Sequence, residues 1–118
     1  SRFDVIMTGV RAYKVRNDLI LAQPRLMERV DGGGTFLVQY NKLEFNAGDD
    51  ESSPYAPYPG TLVGRRRVTV EESPVLVNDP DHPVFRTPNS IGIADWQDWV
   101  QERGLYFLDF DDPRFLLE

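Results

Sequence analysis

Apolar and polar positions along the chain fall into short blocks rather than one sustained period. Phe3-Asp4-Val5-Ile6-Met7-Thr8-Gly9 is short, β-branched and ended by glycine, which predicts a buried strand. Residues 11–16 are polar and predict a loop. Asn17 is placed to cap a helix, and Leu19, Ala22, Leu26, Met27 and Val30 follow at helical spacing to make one apolar face. Pro24 donates no backbone hydrogen bond and crowds the preceding turn, so the helix is either kinked there or begins there. Gly32-Gly33-Gly34 closes it, because glycine readily takes the left-handed cap conformation. Thr35-Phe36-Leu37-Val38-Gln39-Tyr40 then predicts a second strand.

Strand, helix and strand in this order make a βαβ unit, with parallel strands and a right-handed crossover. Both faces of such a sheet are normally covered by helices, and one unit cannot supply that cover. Residues 46–60 predict a long loop rich in Asn, Asp, Ser, Gly and Pro, and a loop of that length is usually functional or mobile. Val68-Thr69-Val70 and Val75-Leu76-Val77 predict short strands. Turns are expected over residues 78–83 and at Pro88 and Asn89. A helix is expected from Gly92 to Arg103, with Asp95 near its positive end and Ile91 packed on Trp96. Gly104 would end it, with Leu105 touching Val100, and Leu105-Tyr106-Phe107-Leu108 predicts a final strand. The whole reads as a single α/β domain over residues 1–118. The start at Ser1 rather than Met reads as a cut from a longer protein.

Charge narrows the partners. The net charge is −6, from 13 basic and 19 acidic residues. Residues 1–40 carry six basic and four acidic groups, whereas residues 41–118 carry seven and fifteen. An acidic domain repels phosphate backbones, so no nucleic-acid partner is expected. The run Arg65-Arg66-Arg67 reads as a solvated loop or strand end. No apolar run approaches the roughly 20 residues of a membrane helix, so no membrane insertion is expected. The sequence has no cysteine, which removes disulfides, thiolate nucleophiles and Cys-ligated zinc.

Candidate chemistry is sparse. Asp79, Asp81 and His82 could together ligate a divalent ion, but Asp-Pro and His-Pro are also ordinary turn chemistry, and the sequence holds no second histidine. These three are weak metal candidates, and no metal or catalytic residue is assigned. Ser52, Ser53, Ser73 and Ser90 lie in no nucleophile elbow. The acidic groups Asp49/Asp50/Glu51, Glu71/Glu72 and Asp111/Asp112 read as solvated surface. The glycines at 32–34 close a helix and open a strand, the reverse of a phosphate loop. Trp96 and Trp99 are expected to pack the predicted helix onto the sheet. Tyr55 and Tyr58, on the Pro-rich loop, are the better ligand candidates, with loop packing as their other reading.

Three segments carry a family likeness. They are Phe3-Asp4-Val5-Ile6-Met7-Thr8-Gly9-Val10-Arg11-Ala12-Tyr13, Gly33-Gly34-Thr35-Phe36-Leu37-Val38-Gln39-Tyr40-Asn41, and Asp81-His82-Pro83-Val84-Phe85-Arg86-Thr87-Pro88-Asn89 running on to Trp99-Val100-Gln101-Glu102-Arg103-Gly104-Leu105-Tyr106-Phe107. Together they resemble the C-terminal region of large bacterial PIG-L/LmbE-type deacetylase proteins. That region is similar to class I glutamine amidotransferases, which implies a flavodoxin-like parallel sheet with flanking helices. Such domains carry one or two βα units ahead of the strand at Phe3, so the resemblance implies a partial domain. It also implies that zinc belongs to a separate deacetylase domain, because His82-Pro83 is followed by Val84-Phe85 and not by two aspartates. Tyr40 stands about where an amidotransferase has its cysteine, with Val38 and Asn41 in place of the small residues of that elbow, so glutamine hydrolysis is not expected.

The resemblance therefore implies a non-catalytic accessory domain that binds a glycan or a partner, the deacetylase domain of the same protein among them. Two other readings are a metal-dependent hydrolase fragment using Asp79, Asp81 and His82, and an oligomerisation module, with a homodimer covering a bare strand edge. Ligands of open α/β sheets sit beyond the C-terminal ends of the strands. Arg11, Tyr13, Tyr40 and Asn41 are the expected contacts there, with loop anchoring or capping as the alternative for each.

Overall fold

A computed structural model describes residues 3–47, 51–100, 104–109 and 112–115. It is a mixed α/β structure with two small sheets. Strand β1 (Val5–Thr8) leads into a short helix α1 (Ala12–Val15) and a long helix α2 (Asn17–Asp31), and the chain returns in β2 (Thr35–Val38). Strands β1 and β2 pair in parallel, Val5 opposite Thr35 and Thr8 opposite Val38. The expected βαβ unit is therefore present.

Helix α2 forms because its apolar positions share one face. Leu19, Ile20, Ala22, Leu26, Met27 and Val30 are half-buried, while Leu21 on the far side is 82% exposed. Pro24 lies inside the helix without ending it. The end comes at the glycines. Gly34 N–H reaches back to Arg29 O at 2.9 Å and Gly33 N–H to Val30 O at 2.9 Å, with Gly33 at φ +88°, a left-handed geometry that suits glycine. The Arg29 side chain lies over Gly34 and donates to Phe3 O at 2.9 Å, tying the end of α2 to the start of β1.

The structure corrects several expectations. The first strand is not buried: Val5 and Met7 point outward at 57% and 63% exposure, and only Thr8 is buried. Helix α2 contacts β2, and Ile6, Phe36 and Val38 are half-buried while Val5, Met7, Thr35 and Leu37 are exposed, so alternate residues of the pair meet solvent. Residues 12–15, expected as loop, are helical, because burial of Ala12 and Tyr13 overrides a polar local composition. Asn17 is the first helical residue rather than the cap; Arg16 takes the cap position and no side chain caps it.

The second sheet is an antiparallel pair, β3 (Thr61–Arg67) with β4 (Leu105–Asp109). Strand β3 precedes the strand expected at 68–70, and residues 68–70 and 75–77 are not strands. The reason is the partner: Leu62 and Val63 pair with Leu108 and Phe107, and the ladder ends at Arg67 opposite Leu105. Arg65, Arg66 and Arg67 accordingly form an exposed strand end. The helix expected from Gly92 is a short 3-10 turn, Ile93–Trp96, whose start is held by Gly92 N–H on the Asp95 carboxylate at 2.7 Å. Beyond it Gln97 is extended and Asp98 has φ +59°, which stops further helix. Trp96 and Trp99 lie against each other at a tilt, with ring centres 4.9 Å apart, and Trp99 is half exposed rather than laid into a sheet. The predicted end of that helix at residues 101–103, and the acids Asp49, Asp50 and Asp111, lie outside the described residues.

The core is small. Tyr13, Phe45 and Leu62 are its buried centre, with Leu19, Ile20, Val38, Tyr55 and Ala56 packed around them. The loop over 46–60 is fastened to it by side chains. Asn46 lies alongside β3, donating to Leu62 O and accepting from Leu62 N–H, both at 2.9 Å. Ser53 N–H meets Gly60 O at 2.7 Å and Ser52 Oγ accepts from Gly60 N–H at 3.0 Å, closing the loop at its neck.

Candidate functional site

Beyond the C-terminal end of β2 the chain turns through Gln39, Tyr40 and Asn41 into a 3-10 turn, Leu43–Phe45. A cleft of about 480 Å³ opens there between α2, β2, the 53–60 loop and β4. Phe36, Val38, Tyr40, Asn41, Tyr55 and Tyr106 contribute to its walls, which are mostly apolar.

The two ends of the parallel pair are locked beside this cleft. Arg11 adopts a left-handed conformation, φ +55°, so its N–H bonds to Tyr40 O at 2.7 Å. Its guanidinium pairs with Glu44 at 2.8 Å. Partial burial pushes the Glu44 carboxyl up, but the Arg11 hydrogen bond and nearby backbone N–H groups outweigh it and leave Glu44 below its ordinary value. Tyr40 is 43% exposed, and its phenol is held above its ordinary value by desolvation and by neighbouring Tyr106.

Asn41 is buried, at 5% exposure. Its Nδ2 donates to Gln39 O at 2.8 Å, which fixes the sense of the amide, since a carbonyl only accepts. Its Oδ1 is buried and has no donor among the described residues, and Thr8 Oγ1 at the end of β1 likewise has no partner among them. A buried polar atom left unpaired typically costs about 1–3 kcal/mol.

Tyr106 reaches the site by an irregularity in the second sheet. Val63 pairs with Phe107 and Arg67 with Leu105, so Gly64, Arg65 and Arg66 together stand opposite Tyr106 alone. Tyr106 has φ +62°, a strained conformation for an aromatic residue. Its ring lies close over Gly64, where a Cβ would come within 3.2 Å of it. It meets the Tyr40 ring edge-on at 6.4 Å and carries the Lys42 ammonium 5.6 Å from its centre.

Of the expected ligand contacts, the structure brings Tyr40, Asn41 and Tyr55 to the cleft and Arg11 to its rim. Tyr13 is packed away instead: 3% exposed, stacked on Tyr55 at 4.5 Å and hydrogen-bonded to Gln23. Tyr58 lies apart, edge-on to Phe115 at 5.6 Å with the Arg114 guanidinium 3.9 Å from its ring centre. Glu44 and Lys42 carry no signal in the sequence apart from closeness to Tyr40. Asp79, Asp81 and His82 form a turn in which each has its own task. Asp79 Oδ1 accepts from Asp81 N–H, Asp81 pairs with Arg86 at 2.7 Å, and His82 Nδ1 accepts from Val84 N–H. Among the described residues no group of three or more His, Asp or Glu side chains converges as metal ligands would.

Comparison with protein-family models, with curated proteins and with solved structures finds no match for this chain.

Proposed function

We propose that this chain is a non-catalytic accessory domain of a bacterial PIG-L/LmbE-type deacetylase protein, binding a glycan or partner at the C-terminal edge of its parallel strands. The observation that carries the binding part is the cleft bounded by Tyr40 and Asn41, just past β2, where ligands of open α/β sheets gather. The family part rests on the three sequence segments that carry the likeness. Two parallel strands joined through α2 are the unit from which a flavodoxin-like, class I amidotransferase-like sheet is built, and the finer fold assignment is proposed on that basis. Tyr40, at the position expected of an amidotransferase nucleophile, offers a phenol and a ring face rather than a thiolate.

The test is a glycan titration of the purified chain, with zinc analysis and an acetate-release assay alongside. Binding that is weakened by Tyr40→Ala, with neither metal nor acetate, supports the reading. Stoichiometric metal lost on His82→Ala would replace it with the hydrolase reading. A second reading, an oligomerisation module, is favoured by the exposed Val5, Met7 and Leu37 on the outer face of β1 and β2. A tight dimer dissociated by Met7→Lys would select it.

A further inference from the structure

The mouth of the cleft differs in kind from its walls. Lys42 stands over the Tyr106 ring and has no carboxylate within ion-pair distance among the described residues. Arg11 adds a second cation, offset by Glu44. With Arg11 neutralised by Glu44, the charge left beside the cleft in a chain of net charge −6 is the Lys42 ammonium on the ring of the lining residue Tyr106. Tyr40 and Tyr106 both line the cleft with their rings edge-on, and Tyr106 is in a left-handed conformation there. Strained residues of this kind gather at binding and active sites. The volume, about 480 Å³, is that of a small-molecule site. In the wall, Asn41 Oδ1 is an acceptor with no donor among the described residues.

From these features we infer that the cleft binds a small amphiphilic anion. An aryl or acyl body sits between Tyr40, Tyr106, Phe36 and Val38, its anionic group lies at Lys42, and a hydroxyl or amide N–H on the body meets Asn41. The inference rests on the reading of this edge as a binding site and specifies what that site takes. Apolar walls desolvate the body, and a cation on an aromatic face holds the anion where water still reaches it. A neutral sugar can accept hydrogen bonds from the ammonium but brings no anion to it and less apolar surface to the walls.

The experiment is a fluorescence titration of the purified chain with 1-anilinonaphthalene-8-sulfonate, which has an aryl body, an N–H and a sulfonate. Saturable binding at one site per chain is expected. Lys42→Ala weakens it about fivefold or more, while N-phenyl-1-naphthylamine, lacking the sulfonate, binds more weakly and is indifferent to Lys42→Ala. Ala56→Phe, which narrows the cleft, weakens both dyes, and Arg25→Ala on exposed α2 surface changes neither. Should Ala56→Phe fail to fold, the amide resonances of Tyr40, Asn41 and Tyr106 in the unmutated chain report the site by shifting on titration. Equal affinity of the two dyes, unchanged sulfonate binding in Lys42→Ala, or unsaturable binding overturns the inference. A chitooligosaccharide that binds through Tyr40 without displacing the dye overturns it and leaves the glycan reading standing. Dye bound as stated, with no glycan bound, retires the glycan reading and leaves the inference standing.

Discussion

Tyr13 Oη donates to Gln23 Oε1 at 2.6 Å, and both residues are buried. Gln23 Nε2 in turn donates to Tyr55 O at 2.7 Å, so one glutamine joins α1, α2 and the 53–60 loop. Tyr13→Phe removes the donor and leaves a buried acceptor unpaired. A loss of about 1–2 kcal/mol is expected in urea unfolding. No loss would mean that water replaces the phenol and that the core is open there.

The same phenol predicts a pH effect. Burial raises Tyr13 to about 12, above its ordinary value of 10.0. The folded chain therefore holds the proton more tightly than the unfolded one. Its contribution is complete below pH 10 and is lost as pH rises toward 12, on the order of 2 kcal/mol in all. Absorbance titration at 295 nm should show a tyrosine ionising near pH 12 in the unmutated chain. That step should vanish in Tyr13→Phe.

Asn46 offers Leu62 both halves of a strand-like pairing. Asn46→Ala strands a buried N–H and a buried carbonyl together, and a loss of about 2–4 kcal/mol is expected. Asn46→Asp keeps the acceptor but faces Leu62 O with no donor, so it rescues at most part of the loss. Thermal melts of the three proteins decide this, and equal midpoints would show that β3 does not depend on Asn46.

How much of this was legible beforehand depends on distance along the chain. The βαβ order, the glycine closure of α2 and the final strand follow from local pattern, because each is fixed within a few residues. Residues 12–15 became helix only because Tyr13 found Gln23 and Tyr55, and no local window contains Tyr55. Strand β3 was missed for the same reason: Leu62 and Val63 are chosen by Leu108 and Phe107, more than forty residues on. At the site, Tyr40 and Asn41 were placed by topology, since strand ends can be located from pattern alone. Tyr106 was visible as an aromatic, but the irregularity at Gly64 that turns it toward Tyr40 leaves no mark in composition.

Gly33 and Gly9 make a paired test of the backbone argument. Gly33 has φ +88°, and Gly33→Ala should cost about 1 kcal/mol. Gly9 has open space where an added methyl group would sit and no positive φ, so Gly9→Ala should be neutral or slightly stabilising. Urea midpoints of the two variants check the contrast, and equal effects would contradict the left-handed cap.

Glu44 reports on the lock at the strand ends. Burial is the largest single influence on its carboxyl and raises it, and removing the Arg11 guanidinium takes away one of the groups that oppose it. In Arg11→Ala the Glu44 side-chain carbon should titrate at higher pH than in the unmutated chain, as followed by carbon NMR. An unchanged midpoint would mean that backbone donors alone hold it down.

The two sheets pose unequal search problems to a folding chain. Val5 meets Thr35 across thirty residues largely taken up by a helix that forms early and shortens the gap. Leu62 must find Leu108 across a segment whose described residues between the two strands hold brief 3-10 turns and no longer helix, so its ends must be brought together with little local order to guide them. Closure of β3 on β4 is then expected to be the slower step in assembly. Because Tyr106 arrives with that closure, the cleft is expected to be completed last, after the parallel pair is in place.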